Sequence, residues 1–118
     1  YYYFSNLTSL RILDLSKNKI SSIDSNSLSS LISLIELNLN ENCIFKLDTS
    51  LFENLFNLIV LKLNSNMIKS LKINIFKNQN NLKELYVSNN QLYEFKLDEI
   101  YLPNLDKLDL SNNYYLNK

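Results

Sequence analysis

Leu10-Arg11-Ile12-Leu13-Asp14-Leu15-Ser16-Lys17-Asn18-Lys19-Ile20 decides the fold, because the chain writes this stretch again and again. Leu34-Ile35-Glu36-Leu37-Asn38-Leu39-Asn40-Glu41-Asn42-Cys43-Ile44 is the second copy, and residues 58–68 and 82–92 are the third and fourth. A fifth begins Leu105-Asp106-Lys107-Leu108-Asp109-Leu110-Ser111-Asn112-Asn113. The starts are separated by 24, 24, 24 and 23 residues. The Leu-x-Leu alternation turns every second side chain to one side, as in a strand with one buried face. One such strand cannot bury that face alone. Neighbouring copies must therefore stack, with their strands side by side in a parallel sheet.

The rest of each unit repeats as well. Leu28-x-x-Leu31, Phe52-x-x-Leu55 and Phe76-x-x-Gln79 precede the next first Leu, and Phe4-x-x-Leu7 fits the same place. The pattern LxxLxLxxNxIxxIxxxxFxxLxx resembles the leucine-rich repeat family, and its 24-residue, Phe-containing form resembles the subclass found in receptor ectodomains and matrix proteins. The resemblance implies an α/β repeat solenoid: a horseshoe arc with a parallel sheet on the concave face and irregular or short helical turns on the convex face. It also implies a buried ladder of Asn18, Asn42, Asn66, Asn90 and Asn113, whose amides satisfy backbone groups where the chain leaves each strand. Phe4, Leu28, Phe52, Phe76 and Ile100 should stack as a second apolar spine toward the convex side.

The organisation expected is one domain over 1–118, with a partial repeat 1–9, repeats 10–33, 34–57, 58–81 and 82–104, and a partial repeat 105–118. The opening Tyr1-Tyr2-Tyr3-Phe4, without an initiator Met, reads as an interior cut from a longer protein. Isolated, such a slice is expected to associate through uncapped ends. Three departures stand out. Gln79 takes a Leu position and should reach a backbone group or the surface. The fourth repeat is one residue short around Leu102-Pro103, which should bend its convex segment. In the fifth, Tyr115 and Lys118 fall on apolar positions, through either a one-residue slip or an atypical end repeat.

Composition narrows the function. Twelve basic residues balance twelve acidic ones, and there is no Gly, His or Trp. Without Gly, neither a phosphate-binding loop nor a dinucleotide fingerprint can form. Without His, the commonest general base, metal ligand and nucleophile partner is missing. Asp14 and Asp109 lie four strands apart, about 19 Å, too far for a paired-carboxylate mechanism. An enzyme is not expected, nor a cofactor or a metal. With Gly absent and Asn abundant, the turns are expected to rest on Asn. No run of residues approaches the length of a membrane span, so this segment is not expected to insert directly into a membrane.

Several smaller signals have bland readings. Cys43 shares a tolerant column with Lys19, Met67, Gln91 and Tyr114, and reads as a lone thiol without function. Asp24 and Asp48, followed in the same column by Lys72 and Lys96, read as a solvated charge ladder with weak Asp48–Lys72 pairing rather than a calcium site. Asn6-Leu7-Thr8 is a glycosylation sequon whose Asn, between Phe4 and Leu7, should face solvent.

Strand residues alternating away from the Leu core point to the concave surface, where the resemblance places the ligand. The candidates are Ile12, Asp14, Glu36, Asn38, Val60, Lys62, Glu84, Tyr86 and Asp109, with Val60 and Tyr86 as apolar anchors between Lys62 and Glu84. Five basic residues against six acidic ones along this face disfavour a polyanion such as nucleic acid. A protein ligand is expected, with the oligomeric state open. The sheet offers on the order of 300 Å² against roughly 800 Å² per partner in a standard interface, so further repeats would share the contact. The expected setting is an extracellular or plasma-membrane receptor or adhesion protein. The alternative is a cytoplasmic scaffold, adaptor or regulatory arm.

Overall fold

The computed structural model describes residues 4–72 and 74–116. Five three-residue strands form one parallel sheet in sequence order: β1 (Ile12–Asp14), β2 (Glu36–Asn38), β3 (Val60–Lys62), β4 (Glu84–Tyr86) and β5 (Lys107–Asp109). Leu13, Leu37, Leu61, Leu85 and Leu108 lie in register across it. The chain is thus a parallel-strand solenoid, flat and elongated at 44 × 31 × 19 Å. The convex segments are the irregular or short helical turns expected. Among the described residues the one helical element is the 3-10 helix Leu97–Glu99, and the other convex segments are turns. Twenty-four residues leave too little chain, after strand and turn, for a helix to cross back.

The core is one continuous apolar column. Leu37, Leu39, Ile44, Leu61, Leu63 and Ile68 are fully buried, whereas Leu13, Leu15 and Ile20 of the first repeat are only partly so. A rung with neighbours on both sides is sealed, and a rung with one neighbour is not. Leu28, Phe52, Phe76 and Ile100 form the convex spine, with the rings of Phe52 and Phe76 stacked at 6.0 Å and 10°. Phe4 packs at its end, but Leu7 remains 44 % exposed, so Asn6 lies beside one apolar contact instead of between two.

The turns depart from the composition argument. The residue before each ladder Asn is left-handed in every repeat: Lys17 (φ 59°), Glu41 (56°), Ser65 (59°), Asn89 (52°) and Asn112 (57°). Only two of these are Asn. Lys, Glu and Ser tolerate the conformation because a tertiary bond holds it: Lys17 N–H donates to the Asn40 carbonyl, Glu41 to Asn64 and Ser65 to Ser88.

The irregular repeats resolve simply. In the fourth, the 3-10 turn closes on Ile100, and Leu102 then takes the place that Leu31, Leu55 and Gln79 hold in the other units, its carbonyl receiving Leu105 N–H. The missing residue comes from the convex turn between them, and the sheet register is untouched. In the fifth, Leu116 packs against the core while Tyr115 stays exposed, which is the one-residue slip. Lys118 lies outside the described residues, as do Tyr1, Tyr2 and Tyr3.

Candidate functional site

The sheet register assembles the candidate residues into two rows. Ile12, Glu36, Val60, Glu84 and Lys107 form one; Asp14, Asn38, Lys62, Tyr86 and Asp109 form the other. Ile12 is 63 % exposed at the open edge, and Glu36, Asn38, Val60, Lys62, Glu84 and Tyr86 are half-buried among their neighbours. All nine sequence candidates therefore lie on one surface, joined by Lys107.

The second row divides by what its members must do for the backbone. Just past each strand an N–H needs an acceptor. Asp14 Oδ1 accepts it from Ser16 (2.9 Å), Asn38 Oδ1 from Asn40 (3.0 Å) and Asp109 Oδ1 from Ser111 (3.0 Å). Lys62 and Tyr86 have no such acceptor. In their repeats the previous unit supplies it: Asn40 Oδ1 accepts from Asn64 N–H and Asn64 Oδ1 from Ser88 N–H, both at 2.7 Å. Asn40 and Asn64 thereby release positions 62 and 86 from a structural duty that fixes 14, 38 and 109. The two released positions carry the two largest side chains of the row.

Those side chains are held in place. Lys62 Nζ lies 3.5 Å from Glu36 Oε2, both about one-third exposed (33 % and 31 %). The Tyr86 hydroxyl donates to Glu84 Oε1, and that bond, with some burial and the nearby Glu84, Asp109 and Glu36 charges, raises the phenol above its usual value. Ser16 and Ser111 hold the carboxyls of Asp14 and Asp109 below the ordinary 3.8 by bonding the ionised form; Lys62 and Lys17 add a smaller pull on Asp14. The surface is thus a polar field of alternating sign around Val60, with Tyr86 as its aromatic member.

Behind the sheet runs the asparagine ladder. Asn66 Nδ2 donates to the carbonyls of Leu39, Leu63 and Asn64, and its Oδ1 accepts Ile44 N–H at 3.0 Å. Asn42, Asn90 and Asn113 repeat the arrangement, and all four are buried. Among the described residues Asn18, in the first repeat, bonds only Leu15 and Ser16 of its own turn. Sequence reasoning overlooked a second amide row, Asn57, Asn81 and Asn104, whose Nδ2 groups donate back to Ile32, Phe56 and Asn80 carbonyls. The signal was present: each precedes the first Leu of a repeat.

Outside the sheet, Cys43 is a free, exposed thiol. The expected Asp48–Lys72 pairing is absent: the ion pairs among the described residues are Glu36–Lys62 and Glu53–Lys77. Asp48 instead closes its own turn, its Oδ1 accepting from Ser50 N–H (2.9 Å) and Oγ (2.7 Å), and Asp24 likewise accepts Asn26 N–H. A carboxylate committed to its own backbone does not reach across a rung. Asn6 is exposed. Among the described residues no helix is long and apolar enough to cross a membrane.

A parallel solenoid with an amide ladder behind a short-stranded concave sheet is a repeat-built recognition scaffold. The chain belongs to the leucine-rich repeat family: the family model described as "Leucine rich repeat" matches residues 2–44 and 32–92. A comparison with curated proteins finds no match. Among solved structures, the chain resembles TLR13 in a TLR13–ssRNA13 complex, at 35 % identity and TM-score 0.87 over 92 % of this chain and 16 % of that one. It is similar to the leucine-rich repeat domain of APL1B, at 29 % identity and TM-score 0.83 over 92 % of this chain and 32 % of that chain. It also resembles a chain of the Toll–Spatzle complex from Drosophila, at 30 % identity and TM-score 0.72 over 74 % of this chain and 12 % of that chain. The chain thus spans a third or less of each of these three structures. The charge argument against nucleic acid finds no support here, since one similar protein is in complex with ssRNA.

Proposed function

We propose that this chain is a non-enzymatic recognition module that receives a protein ligand on its concave sheet, as one segment of an extracellular or membrane receptor or adhesion protein. The reading treats residues 1–118 as part of a single solenoid domain. One observation carries it: Lys62 and Tyr86, relieved of turn capping by Asn40 and Asn64, stand beside Val60 with Glu36 and Glu84 fixing their polar ends. Side chains already held in place lose little freedom on binding, and a half-buried Tyr beside a β-branched neighbour suits the centre of an interface. Ile12, Asp14, Asn38 and Asp109 form the rim.

Panning the chain against a library of extracellular proteins tests this. Tyr86→Ala should weaken a captured partner about 30-fold, the effect of a hot-spot truncation near 2 kcal/mol, and Val60→Asp should act likewise. Unchanged affinity in both variants refutes the site, and salt-resistant binding of ssRNA in place of protein refutes the partner class. If the chain is secreted, a glycan at Asn6 follows, read as a mass shift abolished by Asn6→Gln. The alternative reading is a cytoplasmic scaffold or adaptor, and retention of the full protein inside the cell would select it.

A further inference from the structure

Along the N-terminal edge of the sheet, one residue ahead of the strands, runs a groove of about 490 Å³. Its floor is the half-buried pair Ile35 and Ile59, its ends are Arg11 and Lys83, and one wall is the amide row Asn57, Asn81 and Asn104. Arg11, Ile35, Ile59 and Lys83 occupy the same position in four successive repeats: each carbonyl of the first three receives the two N–H groups that open the next strand. The row therefore reads cation, apolar, apolar, cation, at about 4.8 Å per step. Neither Arg11 nor Lys83 enters an ion pair among the described residues.

We infer that this groove docks an extended peptide segment of the form acidic–x–apolar–x–acidic, a contact additional to the concave patch. The inference rests on reading the chain as a protein-recognition module. The spacing supplies the register. Arg11 and Lys83 are three strand steps apart, about 14 Å, and four residues of extended chain span about 13 Å. Residues i, i+2 and i+4 of an extended segment point the same way. Acidic groups at i and i+4 thus reach the two cations while the side chain at i+2 settles over Ile35 and Ile59. The strand-opening carbonyls are already bonded, so hydrogen bonds to the peptide backbone come from the wall. Each wall amide spends one N–H on the preceding repeat, leaving the other N–H and its Oδ1 for the ligand. Asp106, one step beyond Lys83 in the same row, disfavours a further acidic residue at that end.

The test is an NMR titration of the isotope-labelled chain with the blocked peptide Ser-Asp-Ser-Leu-Ser-Asp-Ser and its counterpart carrying Lys for both Asp. The acidic peptide should bind more tightly and shift the Ile35 and Ile59 backbone signals and the Asn57, Asn81 and Asn104 side-chain amides. Arg11→Glu and Lys83→Glu should each weaken it about threefold, as expected for exposed charge pairs, and the double variant should prefer the Lys peptide. Both positions are exposed, so the variants fold. Equal binding of the two peptides, no binding of either, or shifts centred on Val60 and Tyr86 would overturn the groove. Tyr86→Ala should leave the peptide's affinity unchanged. A protein partner lost with Tyr86→Ala but indifferent to Arg11→Glu and Lys83→Glu would sink the groove and spare the concave reading. The reverse pattern would spare the groove alone.

Discussion

Asn66, on the sheet side of the solenoid, and Gln79, on the convex side, are both buried amides, and they live under opposite conditions. Every polar atom of Asn66 is used: Nδ2 on three carbonyls, Oδ1 on Ile44 N–H. Gln79 Nε2 donates to the Phe52 carbonyl (2.6 Å) and the Leu55 carbonyl (3.3 Å), but no group among the described residues reaches its buried Oε1. Those two carbonyls already receive Leu55 and Leu58 N–H groups. The sheet-side turn therefore depends on its amide, whereas the convex turn is complete without one. An amide is a structural requirement only where the backbone has no other way to close.

The largest effect that could break this comparison is Asn66→Leu. It strands Ile44 N–H, whereas the Leu39, Leu63 and Asn64 carbonyls each keep a second donor in Asn42 Nδ2, Asn90 Nδ2 and Glu41 N–H, so a loss of about 2–3 kcal/mol is expected in urea unfolding. A loss below about 1 kcal/mol would mean that the ladder is dispensable. The next effect sharpens the same idea one row nearer the ligand face. Asn40→Ala removes the acceptor of Asn64 N–H and should cost about 1–2 kcal/mol. Lys62→Asn should restore most of it in the double variant, because an Asn there can serve its own turn as Asn38 serves Asn40. Failure of that rescue would undo the argument that positions 62 and 86 are free for binding.

Gln79→Leu should go the other way. Leu31, Leu55 and Leu102 fill the corresponding places, the volumes are similar, and an unpaired buried oxygen disappears. A gain of about 1 kcal/mol is expected, read as a higher urea midpoint with unchanged slope. Destabilisation instead would show that the short bond to the Phe52 carbonyl matters more than the orphaned oxygen.

How much of this was legible in the sequence follows the same division. The strands, their register and the concave rows are consequences of a period and an alternation, and these are written directly in the Leu positions. That Gln79 would find backbone carbonyls was legible, because a buried amide must bond to something. The left-handed residues were not. Lys17, Glu41 and Ser65 are poor choices for positive φ, and what holds them is a bond to the following repeat, a partner about 23 residues away. The Asn40 and Asn64 relay was hidden for the same reason: a side chain that caps its neighbour's turn looks, in one dimension, like any exposed Asn. The absent Asp48–Lys72 pair shows the converse, a column read as long-range when each Asp was satisfied within two residues.

The smallest effect tests that local satisfaction. Asp14, Asp48 and Asp109 are each held below the ordinary 3.8 by Ser16, Ser50 and Ser111. A depressed folded-state value means that the unfolded chain takes up the proton first. Each carboxylate's contribution is therefore fully present above the unfolded value and fades as pH falls through the lower folded one. Stability should decline with acidification below about pH 4. Asp109→Asn keeps an acceptor for Ser111 N–H, as Asn38 does for Asn40, while removing the titrating group. Thermal midpoints of the variant and the parent should nearly coincide at pH 7, and the parent should lose more on going to pH 3. Parallel curves would mean that the serine bonds favour the protonated and ionised carboxyl equally, and that what Asp109 does for the turn is indifferent to its charge.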